Sequence, residues 1–182
     1  LGENTDAPGL VRALVETGFD VRGAVVVILG AGGAARAAVV GLGEPGAARI
    51  TIAARQRDAA AALADDLASS VAADLGACAI DSSLTDVFAR AGLVVQATSA
   101  TLEGNPDAQL FADALPLGAL PEDAMVMDLV YTPRTTAVLD AASSRGLSTV
   151  DGLGMLVHQG ALAFERWLGR PAPLDAMRRA LS

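Results

Sequence analysis

The chain has 182 residues, 13 basic against 21 acidic side chains, a net charge of −8 and 52% hydrophobic content with only 3% aromatics. That length supports one sizeable core of small aliphatics, and a net negative chain without a basic stripe excludes nucleic acid or an anionic membrane surface as a general partner. A single cysteine, Cys78, excludes an internal disulfide and a cysteine-rich metal site, so no metal is expected, and the thiol reads as a small buried hydrophobe.

No apolar run is long enough to span a bilayer, and the first residues carry no charged and then apolar leader, so the cytoplasm is the expected location. The chain starts at Leu1 in what reads as a loop, which leads us to expect a longer parent protein.

A first helix is predicted from Pro8 to Thr17, with Leu10, Val11, Leu14 and Val15 on one apolar face and Gly18 as its stop. A strand from Val25 to Leu29 then runs into Gly30-Ala31-Gly32-Gly33-Ala34-Ala35, which opens a helix over Ala34 to Leu42. Strand, glycine turn and small-residue helix in that order form a dinucleotide-binding pattern. Gly30 allows the sharp turn, Gly32 lets the backbone approach a pyrophosphate, and Ala35 replaces a third glycine where helix meets strand. Packing alone also produces a buried strand followed by a tight turn; the surrounding βα order favours the nucleotide.

The second strand is predicted from Arg49 to Ala53 and ends in Ala54-Arg55-Gln56-Arg57. An NAD site places a carboxylate on the ribose hydroxyl near this point. Here two guanidiniums stand instead, a donor set suited to a 2′-phosphate and hence to NADP; the alternative is a pair of solvated loop charges. Further strands are predicted at Cys78 to Asp81, Leu93 to Gln96, Met125 to Asp128 and Ser148 to Val150. Helices are predicted at Asp58 to Ser70, Leu84 to Arg90 and Thr136 to Arg145. Gly104 to Glu122, with three prolines, reads as loop with one short helix. Two helices, Met155 to Leu168 and Leu174 to Leu181, close the chain. The fold class is α/β: a Rossmann-type, doubly wound, mainly parallel sheet with helices on both faces.

Several blocks, in order, resemble the cofactor-binding half of the shikimate dehydrogenase family. They are Asn4-Thr5-Asp6 with Gly9, the Gly30 to Ala34 loop, Gln96-Ala97-Thr98-Ser99, Asp128-Leu129-Val130-Tyr131-Thr132-Pro133 with Thr136, and Asp151-Gly152-Leu153-Gly154-Met155-Leu156-Val157-His158-Gln159. The resemblance implies a linker helix over 1–20, an NADP-binding domain over 21–152 and, over 153–182, helices returning toward an absent N-terminal substrate domain. It implies reduction of 3-dehydroshikimate by NADPH, in aromatic amino acid biosynthesis, and leaves room for a homodimer. Asp6 is the implied catalytic carboxylate, contacting substrate hydroxyls and pairing with a lysine, while Tyr131 and Gln159 line the substrate side. Read singly, Asp6 could cap its helix, Tyr131 could be a core aromatic, and Gln159 could face solvent.

For the cofactor, the resemblance implies Gly30, Ala31, Gly32, Gly33 and Ala34 at the pyrophosphate, Arg55 at the 2′-phosphate, Thr98 beside the adenosine half, and Leu129 and Gly152 near the nicotinamide. Charge alone adds Arg57. Three departures from the family pattern stand out: Ala54 and Gln96 replace asparagines, and Thr101-Leu102 replaces Gly-Met. All thirteen basic residues are arginine, so the family's lysine is not among these residues. His158 is set aside as its substitute, because on a helix it points about a hundred degrees away from Gln159. Two other readings stay open: a stand-alone NADP(H)-binding module without chemistry, and a different dehydrogenase, such as one acting on quinate.

Overall fold

A computed structural model describes residues 4–181. Fourteen elements follow in chain order: α1 (Asp6–Glu16), β1 (Val25–Leu29), α2 (Gly33–Gly43), β2 (Arg49–Ala54), α3 (Arg57–Leu67), β3 (Asp74–Ala79), α4 (Leu84–Phe88), β4 (Leu93–Gln96), α5 (Ala108–Ala114), β5 (Met125–Asp128), α6 (Ala137–Ser143), β6 (Ser148–Val150), α7 (Leu153–Leu168) and α8 (Leu174–Arg179). The strands form one sheet in the order β3-β2-β1-β4-β5-β6, and every pairing is parallel. This is the doubly wound order of dinucleotide-binding folds, with its switch point between β1 and β4.

Alternation along the strands builds two cores. Val26 and Ile28 of β1, Ile50 and Ile52 of β2, and Leu93 and Val95 of β4 pack with Leu10 and Leu14 of α1 and with α2 and α3. Val27, Leu29, Val94 and Val126 point the other way, toward Leu84 and Phe88 of α4 and Val138 and Leu139 of α6. Both faces of the inner strands are therefore apolar, which is why β1 reads as an unbroken aliphatic run.

Strand β3 starts at Asp74, four residues before the position predicted from sequence. Its register is set by β2: Arg49 pairs with Asp74 along the ladder and joins it in an ion pair. Asp and Gly disfavour strands by themselves, so the pairing partner overrides local preference at Asp74 and Gly76. Asp81, predicted inside the strand, instead turns the chain by accepting from the backbone N–H and the hydroxyl of Ser83 at 2.8 and 2.6 Å. The predicted ends of five helices also shorten, α1 to Glu16, α6 to Ser143 and α8 to Arg179 among them. α3 ends at Leu67 and α4 at Phe88, while Thr136 lies just ahead of α6 and caps it by accepting from Leu139 N–H at 3.3 Å. The proline-rich stretch contains α5 and a single 3-10 turn, Leu117–Ala119.

Helix α1 is held between α2 and α7 by close crossings. A methyl group on Gly41 would stand 2.7 Å from the Ala7 carbonyl oxygen, and one on Gly9 would stand 2.9 Å from Cβ and N of Gln159. Among the described residues no helix is long and apolar enough to cross a membrane.

Candidate functional site

The turn after β1 is built around Gly30, whose φ of +119° L side chains rarely adopt. Its N–H donates to the Ala53 carbonyl at 2.7 Å, and a methyl group there would stand 3.0 Å from both the Ala97 carbonyl oxygen and Cγ2 of Thr98. Gly30 thus presses the β1–α2 turn onto the loop after β4, across the switch point. Gly32, in extended conformation, precedes α2 without any side-chain cap. The first N–H groups of α2, from Gly33, Ala34 and Ala35, have no acceptor within the helix. Gly32, Gly33 and Ala34 are exposed and Ala31 half-buried, and methyl groups on Gly32 or Gly33 would meet nothing within 4 Å. Backbone donors and the positive end of an eleven-residue helix face this open space, an arrangement that accepts phosphate oxygens.

Beside it, β2 ends at Ala54, buried in the core, and the chain turns outward at Arg55. Arg55 and Arg57 are both exposed, and among the described residues neither forms an ion pair with a carboxylate. Cys78 of the neighbouring strand is half-buried. Burial and the Asp81 charge push its thiol pKa up, against the opposing pull of Arg57.

On the other side of the switch point lies a buried polar cluster that sequence reasoning did not identify. Gln96 and Asp128 are register partners at the carboxyl ends of β4 and β5, and both are fully buried. The Gln96 amide donates to the Thr98 carbonyl at 3.0 Å and to Thr101 Oγ1 at 2.8 Å, and its oxygen accepts from Thr98 N–H at 2.7 Å. Asp128 accepts from Thr136 Oγ1 at 2.7 Å, from Val130 N–H at 3.0 Å and from Gln96 Nε2 at 3.4 Å. Burial raises the Asp128 pKa above the ordinary aspartate value; the hydrogen bonds from Thr136, Val130, Thr101 and Gln96 oppose this without cancelling it. The sequence signal was present as polar residues ending two apolar strands, Gln96 and Asp128.

Leu129 follows directly, and its carbonyl lies against Gly152, where a methyl group would sit 2.3 Å from the Leu129 oxygen. Gly152 N–H donates to the Val130 carbonyl at 3.2 Å. Asp151 fixes the same corner, accepting from Leu153 N–H at 3.1 Å and from Arg134 Nε at 3.1 Å.

At the start of α1, Asn4 accepts from the N–H groups of Asp6 and Ala7 at 2.8 and 3.2 Å. Asn4, not Asp6, therefore serves the helix N-terminus. Asp6 lies in the first turn, half-buried, and Thr5 Oγ1 beside it donates to Gln159 Oε1 at 3.4 Å. The turn that carries Asp6 is thereby held against Gln159, which is half-buried rather than facing solvent. Tyr131 is 49% exposed in the loop after β5, so it is no core aromatic, and among the described residues no hydrogen bond joins it to Asp6 or Gln159. His158 points elsewhere. It is buried, with Nε2 3.1 Å from a Glu16 carboxylate oxygen, and Arg178 of α8 pairs with the same Glu16. Burial pushes the Glu16 carboxyl up, but Arg178 and His158 outweigh it and hold the pKa below the usual value. Among the described residues no cluster of His, Cys, Asp and Glu could hold a metal ion.

Comparison with known proteins gives concordant matches. The family described as shikimate / quinate 5-dehydrogenase matches residues 13–139, and that described as shikimate 5′-dehydrogenase C-terminal domain matches residues 152–181. A curated relative, the shikimate dehydrogenase (NADP(+)) of Symbiobacterium thermophilum, is 44% identical over 183 residues, covering 99% of this chain and 61% of that protein. The crystal structure of shikimate 5-dehydrogenase from Listeria monocytogenes, in complex with shikimate and NAD, superposes with a TM-score of 0.89 at 31% identity, covering 100% of this chain and 63% of that one. The ligand-free 5-ketofructose reductase of Gluconobacter superposes with a TM-score of 0.85 at 37% identity, covering 99% and 63%. The chain spans about three fifths of the length of the curated relatives it matches.

Proposed function

Because the chain belongs to the shikimate / quinate 5-dehydrogenase family, we propose that it is the NADP-binding part of a shikimate dehydrogenase, working with a substrate domain outside these residues. The observation that carries this reading is the open, glycine-lined N-terminus of α2 beside two arginines that no described carboxylate neutralises. The residues present fit the cofactor: the N–H groups of Gly33, Ala34 and Ala35 meet the pyrophosphate, with Gly32 leaving the approach clear, and Arg55 and Arg57 meet the 2′-phosphate. Thr98 walls the adenosine side, and Leu129 and Gly152 wall the nicotinamide side.

NADPH, when bound, supplies the hydride for reduction of the 3-dehydroshikimate ketone. The chain's own residues hold and orient. Asp6 and Gln159 offer a carboxylate and an amide to the substrate hydroxyls, and Tyr131 offers a phenol. The proton for the ketone oxygen comes in this reading from a lysine of the substrate domain, oriented by Asp6. All thirteen basic residues here are arginines, whose guanidiniums stay protonated and do not act as acids. A cytoplasmic location goes with this reading.

The test is calorimetric. Arg55→Ala should cost about 1.5–3 kcal/mol of NADPH affinity, the loss expected for a hydrogen bond to a charged group, and little for NADH. Equal losses for the two dinucleotides would refute the 2′-phosphate assignment.

A further inference from the structure

We propose that Asp128 is a positioning residue for the dinucleotide: its buried carboxylate gathers the loops after β4 and β5 into the shape that receives the nicotinamide half. The inference rests on the NADP reading above and extends it to a side chain below the binding surface.

Three features support it. First, every group that reaches the Asp128 oxygens is a donor: the Thr136 hydroxyl, the Val130 N–H and the Gln96 amide. Only an ionised carboxylate accepts from all of them; an amide would turn its own N–H toward a donor. Second, the donors lie in the segments that wall the site. Val130 follows Leu129, Thr136 starts α6, and Thr101 and Gln96 lock the loop of Thr98, whose methyl group packs on Gly30. One carboxylate thus connects the corner of Leu129 and Gly152 to the turn that carries the phosphate cradle. Third, burying a carboxylate is costly, and an apolar pair at the ends of β4 and β5 would hold the sheet together at least as well. What the carboxylate adds is the placement of two loops.

The experiment compares the unsubstituted chain with Asp128→Asn, Thr136→Val and Thr136→Ser. Affinity is measured for NADPH and for adenosine 2′,5′-bisphosphate, which carries the 2′-phosphate but no nicotinamide. Folding is monitored by circular dichroism. Thr136→Val and Asp128→Asn should weaken NADPH binding about tenfold or more, as one lost hydrogen bond to a charged group implies. Thr136→Ser, which keeps the hydroxyl, should bind NADPH like the unsubstituted chain. The bisphosphate, held chiefly at Arg55 and Arg57, should change far less in every variant.

If Asp128→Asn does not fold, the Thr136 pair carries the comparison, since serine against valine isolates the hydroxyl. Folded variants that bind NADPH as tightly as the unsubstituted chain overturn the proposal. So does equal weakening of both ligands, which would mark a general loosening of the fold. An unsubstituted chain that binds neither ligand overturns the NADP reading and this inference with it, whereas bisphosphate binding that Arg55→Ala abolishes upholds the reading whatever the Asp128 variants do.

Discussion

Two glycines eight residues apart, one at the start of α7 and one within it, should respond to the same substitution with opposite signs. In Gly152→Ala the new methyl carbon would stand 2.3 Å from the Leu129 oxygen, 2.6 Å from its carbonyl carbon and 2.8 Å from the Val130 carbonyl carbon. All three are backbone atoms, tied down by β5, so the strain cannot be relieved by a rotamer change. Overpacking of this kind costs about 1–3 kcal/mol. Separating the segments also breaks the Gly152 N–H bond to Val130, worth about another 0.5–1.5 kcal/mol. The total, roughly 1.5–4.5 kcal/mol, is a large share of the roughly 5–15 kcal/mol that stabilises an ordinary domain. Gly160→Ala, inside α7, would place its methyl group in open space, with no atom within 4 Å. There the gain in helix propensity and the narrower unfolded ensemble should stabilise by about 0.5–1 kcal/mol. Urea unfolding followed by circular dichroism at 222 nm measures both. A neutral Gly152→Ala would show that the Leu129 corner is not tight, and the steric basis for placing Leu129 beside Gly152 would fall with it.

Other outcomes can be checked with the same material. The chain alone should bind NADPH yet reduce no 3-dehydroshikimate at an enzymatic rate; adding a family substrate domain should restore turnover, and Asp6→Ala in that assembly should depress kcat. Turnover by the chain alone, measured as NADPH oxidation at 340 nm, would refute the assignment of the proton donor. Glu16 and Asp128 should shape the pH dependence of stability in opposite senses. The Glu16 pKa is lowered on folding, so its contribution is present above the ordinary glutamate value of 4.5 and is lost as pH falls through the lowered one; Glu16→Gln should flatten that acid loss slightly, since the group is half-exposed. The Asp128 pKa is raised, so the native state takes up its proton first and stability gains as pH falls through the raised value toward the ordinary 3.8; Asp128→Asn should remove that gain. Phe88→Ala, at a fully buried position, should cost about 3–5 kcal/mol, read from the urea midpoint.

The inner half of the fold was legible in the sequence because its strands are buried on both faces. β1, β4 and β5 stand at the boundaries that their aliphatic runs predicted, and the glycine turn announced α2. β3 was misplaced because an edge strand takes its register from its neighbour; no residue within Asp74 to Ala79 records where Arg49 will lie. At the site, single residues with a distinctive backbone demand, such as Gly30, could be read directly. The Gln96 and Asp128 cluster could not, because its meaning lies in a register pairing of two residues thirty-two positions apart and in donors from two loops. Nor does the local pattern separate Asn4 from Asp6 as the group that serves the first helix, since either side chain suits a helix start and geometry decides.

The two outer strands bear on self-association. An open sheet exposes one row of unpaired backbone groups at each border, and a chain this rich in valine and alanine would be prone to stack border to border. β6 presents only three residues, two of them exposed and polar, Ser148 and Thr149, so a foreign strand would find too short a ladder to hold. β3 is longer, but it begins with a charged aspartate and has Gly76, which offers no side chain to grip, while the Arg49 guanidinium comes within 3.2 Å of where a Gly76 methyl group would be. The weak strand character of Asp74 to Gly76, which displaces β3 from its predicted position, therefore also makes it a poor template for amyloid-like growth.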